Sequence, residues 1–152
     1  MTKKTVLLLS CILFSVLLNA QKKTNFKLNQ KYCTNVVKSI FHAAKSGSFD
    51  HLYRLCDPNG FGDRDVKRIC SISQLADTVK AKEASDNAKK NLEEFVSIFE
   101  SGKINGEVIY EKNGDTEFAK VPIWYNHPLG EQRSNETMVL VKRAGKWYLY
   151  SF

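Results

Sequence analysis

The spacing of apolar residues changes once along this chain, at Gly102, and that change constrains the fold more than any other feature. Before it, Cys33, Val36, Val37, Ile40, Phe41 and Ala44 recur every three or four positions, as do Leu92, Phe95, Val96 and Phe99. That period collects side chains on one face of an α-helix. After Gly102 the period is two. Ile104 to Lys112, Thr116 to Tyr125, Thr137 to Arg143 and Lys146 to Phe152 read as four strands. Asn113-Gly114 and Ala144-Gly145 mark tight hairpins between them. Pro122 has no N–H to give to a ladder, so its strand needs an edge or a bulge there. Helices first and an antiparallel meander after is the α+β pattern.

The helical half is less regular. A first helix is expected from near Asn29, with Gly47 as its C-cap. Ser48 would cap a short second helix, with Asp50 in its first turn and Phe49, Leu52, Tyr53 and Cys56 facing inward. Residues 57–65 are rich in Asp, Asn, Gly and Pro and read as loop. Val66 to Ile72 fits a turn of helix. Ser73 would then cap a long helix from Gln74 to Ser101, whose polar first half is either solvated or broken near Ser85.

The N-terminus reads as an address. Lys3 and Lys4 precede an apolar run from Val6 to Leu18, and Asn19-Ala20-Gln21 ends it. This is the layout of a secretory signal peptide, with cleavage expected after Ala20. The run falls short of the ~20 apolar residues a membrane span needs. Leu8-Leu9-Ser10-Cys11 resembles a lipobox, but Ile12-Leu13-Phe14 after the cysteine argues against lipidation. The organisation is therefore residues 1–20 as signal, 21–27 as a polar leader and 28–152 as one α+β domain, secreted or periplasmic, with no membrane span once the signal is removed. The full chain of 152 residues carries 23 basic and 16 acidic side chains, a net +7. Loss of Lys3 and Lys4 lowers this to +5. That balance favours polyanions in general. Scattered basic residues and the lack of any nucleic-acid motif argue against nucleic acid.

Export leaves Cys33, Cys56 and Cys70, in a compartment where disulfides persist. Three thiols allow one internal bridge. Cys56–Cys70 is the preferred pair, closing the Pro- and Gly-containing loop. Pairing of Cys33 with either partner stays open. No cysteine or histidine spacing points to zinc, and no cofactor motif is present.

The residues Ala43-Ala44-Lys45-Ser46-Gly47-Ser48-Phe49-Asp50-His51-Leu52 and Met138 to Leu149, with Gly145-Lys146-Trp147 opening the last strand, resemble two segments of nuclear transport factor 2-like (cystatin-like) domains. The resemblance implies N-terminal helices packed on a curved antiparallel sheet of about four strands, forming a cone with a pocket. It implies functions from isomerase or dehydratase to pure binding, and a homodimer through the sheet as an option. Residues 57–85 exceed the family's usual link between helices and could reshape the pocket mouth. A binding module is the preferred reading, with a small molecule, peptide or envelope component as its unknown ligand. Tyr53, Trp124 and His127 are candidate ligand contacts, although the sheet aromatics read more simply as core. An isomerase-like enzyme is the alternative, with Asp50, His51, His127 and Tyr53 to supply acid or base; no catalytic motif is present. Asp57, Asn59, Asp63 and Asp65 offer oxygen ligands for a hard cation such as calcium, but the EF-hand spacing fails, and Asp and Asn stabilise turns without any metal.

Export of the full chain from a bacterial host is expected to yield a mature protein beginning at Gln21, read by N-terminal sequencing. An N-terminus at Cys11 would establish lipidation instead.

Overall fold

A computed structural model describes residues 28–80, 85–126 and 133–152, and its element order follows the change of period at Gly102. Helix α1 spans Cys33–Ser46 and buries Cys33, Val36, Val37, Ile40, Phe41, Ala43 and Ala44. Gly47 closes it in the left-handed region, with its N–H donating to the Ala43 carbonyl. The helix starts later than its sequence predicts because Gln30 is used elsewhere. Its carbonyl accepts from the Trp147 N–H at 2.9 Å, and its Nε2 donates to the Arg54 and Trp147 carbonyls.

The expected second helix is a single 3₁₀ turn, Leu52–Leu55. Phe49, Leu52 and Cys56 turn inward, joined by Leu55, but Tyr53 points out. The stretch after it also differs from expectation. Helix α2 runs unbroken from Arg64 to Lys80, through Ser73, which is buried rather than a cap. Its start is set by Asp63, whose Oδ1 accepts from the Val66 N–H at 2.8 Å. Helix α3 spans Asp86–Phe99, and its N-cap is Ser85, accepting from the Ala88 N–H. Of the two alternatives for the polar stretch, solvated helix or a break near Ser85, the structure has the break, and the helix before it begins earlier than its loop-like start implies.

The sheet is antiparallel throughout: β1 (Lys103–Ile104), β2 (Ile109–Asn113), β3 (Thr116–Asn126), β4 (Arg133–Arg143) and β5 (Lys146–Ser151). Both β1 and β2 pair with β3, so the single strand expected over 104–112 is split. Pro122 explains the split. It lies in β3 with Thr137 of β4 opposite it, and its carbonyl accepts from the Asn105 N–H between β1 and β2. In an antiparallel strand the N and C=O of one residue face the same neighbour. The missing donor therefore falls at the gap, which lets a central strand hold a proline.

Alternation along β3 sends Ala119, Val121, Ile123 and Tyr125 inward, under the helices. Met138, Leu140, Trp147 and Leu149 extend that face. Phe99 of α3 sits among Phe41, Phe95, Tyr125 and Phe152, with ring centroids 5.2–6.3 Å away. A buried ring of this kind contributes about 3–5 kcal/mol relative to alanine.

The free edge of β5 is covered by loop. Leu149 accepts from the Asp57 N–H, Tyr150 from the Gly62 N–H, and the Phe152 N–H donates to Asp63 Oδ2 at 2.7 Å. At Gly62 a Cβ would collide with the Tyr150 carbonyl oxygen, so the approach requires glycine. The Cys56–Cys70 disulfide closes this loop, with Cα atoms 6.2 Å apart, while Cys33 is a buried free thiol. Among the described residues, no helix is long and apolar enough to cross a membrane.

Replacing both Cys56 and Cys70 by serine is expected to lower the unfolding free energy by about 3 kcal/mol, the loop-closure value for a ring of this length. Denaturant titration of the paired variant checks it. An unchanged midpoint would mean that the hydrogen bonds to β5 hold the loop unaided.

Candidate functional site

A cleft of about 240 Å³ lies between α2 and α3. Ile69, Ile72 and Leu75 of α2 form one wall. Their three-residue spacing keeps them on one helical face. Phe95, Ile98 and Phe99 of α3 form the other wall, and Tyr125 and Phe152 form the floor. Asp63 fixes this geometry from outside. One of its oxygens starts α2, and the other holds the backbone of Phe152.

The rim is charged. Arg68 Nη2 lies 3.1 Å from Glu94 Oε2, linking α2 to α3, and Arg68 Nη1 lies 3.9 Å from Asp65. These groups are largely solvated, so each pair contributes only ~0–1 kcal/mol and opens at little cost. The Tyr125 pKa is raised, first by burial and then by the negative charge of Glu136, against a hydrogen bond with Ser134. Its hydroxyl therefore stays protonated at neutral pH and can donate a hydrogen bond. The carboxylates lining the cleft are Asp65 and Glu94, and both face Arg68. The recess is suited to sheltering an apolar group and offers the Tyr125 phenol, Ser71 and Asn91 as uncharged polar contacts.

The residues singled out from sequence are dispersed. Tyr53 lies on a different groove, beside the disulfide. Trp124 is on the outer face of the sheet, with Lys103 Nζ 5.8 Å from its ring centre. His127 lies outside the described residues. Asp50 is exposed, and His51 packs toward α1, with Nε2 3.5 Å from the Ser39 carbonyl. Burial is the main cause holding the His51 pKa below its ordinary value, only partly offset by that carbonyl. Neither Asp50 nor His51 lines the cleft.

The acidic loop residues have protein partners. Asp57 is buried, accepting from the Asn59 N–H at Oδ1 and from Arg143 Nη2 at Oδ2. Losing Arg143 would strand that carboxylate, at a cost of about 3–5 kcal/mol. Asp63 binds the two backbone groups described above, Asp65 faces Arg68, and Asn59 is exposed. Among the described residues, no group of three or more His, Cys, Asp or Glu is placed to hold a metal ion.

The cleft itself escaped the sequence reading, except for Phe95 and Phe99 as inward residues. Its signal was present in Val66, Ile69, Ile72 and Leu75, which continue one helical period across the supposed cap at Ser73. Comparison with known proteins adds no relative: no family model matches the chain, and no curated protein matches it in sequence.

Asp63 yields a pH prediction. Burial raises its pKa, but hydrogen bonds from the Val66 backbone, the Ser151 side chain and the Phe152 and Asp65 backbones outweigh it and hold the carboxyl below its usual range. A depressed carboxyl contributes stability above its unfolded pKa, and that contribution is lost as pH falls through the folded one. Asp63→Ala is expected to cost about 1–2 kcal/mol at neutral pH, the value of an N-cap. The difference from the parent protein should shrink below about pH 4. Urea titrations across pH check this, and a difference that does not vary with pH contradicts it.

Proposed function

We propose that this protein is an exported, non-catalytic binding domain of nuclear transport factor 2-like type, which takes an apolar small molecule, a peptide side chain or the apolar part of an envelope component into the α2–α3 cleft. The observation that carries the reading is a recess with aliphatic and aromatic walls, whose charged groups sit at the rim as two carboxylates, Asp65 and Glu94, paired with one guanidinium, Arg68. Helices followed by an antiparallel sheet support the fold assignment. The Cys56–Cys70 disulfide is compatible with an oxidising compartment and supports export.

The rival isomerase or dehydratase would use the same cleft. It needs a base facing apolar walls. Tyr125 is protonated at neutral pH, and Asp65 and Glu94 sit at the rim against Arg68, which favours binding over catalysis. Weak calcium binding at 57–65 has less support, since Asp57 and Asp63 already have protein partners.

Decanol and dodecanoate, titrated into the protein by calorimetry, should bind. Ile98→Trp, which fills the recess, should weaken that binding by about ten-fold or more, the scale of one lost apolar contact set. Binding indifferent to Ile98→Trp would place the ligand elsewhere and reject the cleft.

A further inference from the structure

We propose that the groove beside the Cys56–Cys70 disulfide is a second and independent binding site, for an anionic oligosaccharide. The groove has a volume of about 500 Å³, with both cysteines among its lining residues. Three aromatic rings border it: Tyr53, Phe61 and Tyr148. Tyr53 is 55% exposed and Phe61 48% exposed, the largest apolar side chains this face leaves in water. Scattered exposed rings are ordinary, but rings gathered on one recess mark a recognition surface.

The charges around the groove are uneven. Arg54 Nε donates to Tyr53 Oη at 2.9 Å, and its guanidinium carbon lies 5.4 Å from that ring centre, which fixes the ring. Among the described residues, neither Arg54 nor Lys67 pairs with a carboxylate. The groove's one carboxylate, Asp57, is buried and committed to Arg143. Among the described residues, two cations are thus left without counter-charges on this groove, Arg54 against the Tyr53 ring and Lys67 on the lining. An anionic ligand gains charge-assisted hydrogen bonds there without displacing an existing pair.

The backbone decides between a peptide and a sugar. An extended peptide binds largely through main-chain hydrogen bonds to a strand edge. Here the edge of β5 is already occupied by Asp57, Gly62 and Asp63. What the groove offers is ring faces, side-chain donors and two cations. A pyranose ring presents C–H groups to aromatic faces and hydroxyls at its perimeter, and an acidic sugar adds a carboxylate or sulfate for Arg54 and Lys67. The disulfide ties the loop that carries Phe61, so little ordering remains to oppose binding.

The test titrates the exported chain, at low salt, with trigalacturonate and with a heparin tetrasaccharide, using maltotriose and hexaglutamate as comparisons. NMR shifts are expected at Tyr53, Phe61 and Tyr148 with at least one anionic sugar and not with maltotriose. Arg54→Gln with Lys67→Gln, and separately Phe61→Ala, should each weaken binding about ten-fold or more, with unchanged unfolding curves. Failure of both anionic sugars to bind overturns the proposal, as does binding that survives either variant. Hexaglutamate binding as tightly as the sugars would assign the groove to acidic peptides instead.

Discussion

The structure depends on the closure of one strand edge. β5 ends the sheet, and its outward N–H and C=O groups would otherwise lie open. Gln30, Asp57, Gly62 and Asp63 satisfy them, from a segment before α1 and from the loop before α2. That loop has little apolar surface of its own, so the disulfide and the buried Asp57–Arg143 pair hold it where the backbone bonds need it. Asp63 then links two layers. The carboxylate that holds Phe152 also starts α2, so the placement of the helix follows from the end of the sheet.

The fold was legible where one period dominated. The faces of α1 and α3, the hairpin at Ala144-Gly145 and the inward alternation of β3 all follow from spacing. Reading failed where a side chain served two roles or a distant partner intervened. Asp63 looks like one more turn former in an acidic loop, yet it is the cap of a 17-residue helix. Ser73 resembles a cap and is buried mid-helix. Gln30 has helical neighbours but bonds to Trp147, more than a hundred positions away, and no local rule detects that. The candidate site was the least legible part. Clefts arise from the distance between helices, and the sequence reads α2 as a helical turn and the start of a separate helix capped at Ser73 rather than as one helix.

Helix α2 separates two surfaces of opposite character. Ile69, Ile72 and Leu75 face the apolar cleft, while Lys67, Cys70 and Gln74 face the aromatic groove, and Ser71 borders both. On the first side, Arg68 pairs with Glu94 and Asp65. On the second, Arg54 and Lys67 keep their charges available. The contrast has two sources: one cation against two carboxylates lines the cleft, and two cations line the groove, whose carboxylate Asp57 is committed to Arg143.

The opposite border of the sheet carries a different consequence of Pro122. By interrupting the ladder, the proline leaves that border as a two-residue strand, a gap and a five-residue strand bearing Glu111 and Lys112. Stacking of identical chains into fibrils requires about six contiguous residues of flat, weakly charged backbone. Neither piece reaches that length, and the far border is already occupied by the chain's own loop. Among the described residues, neither border of the sheet therefore presents a long uninterrupted edge.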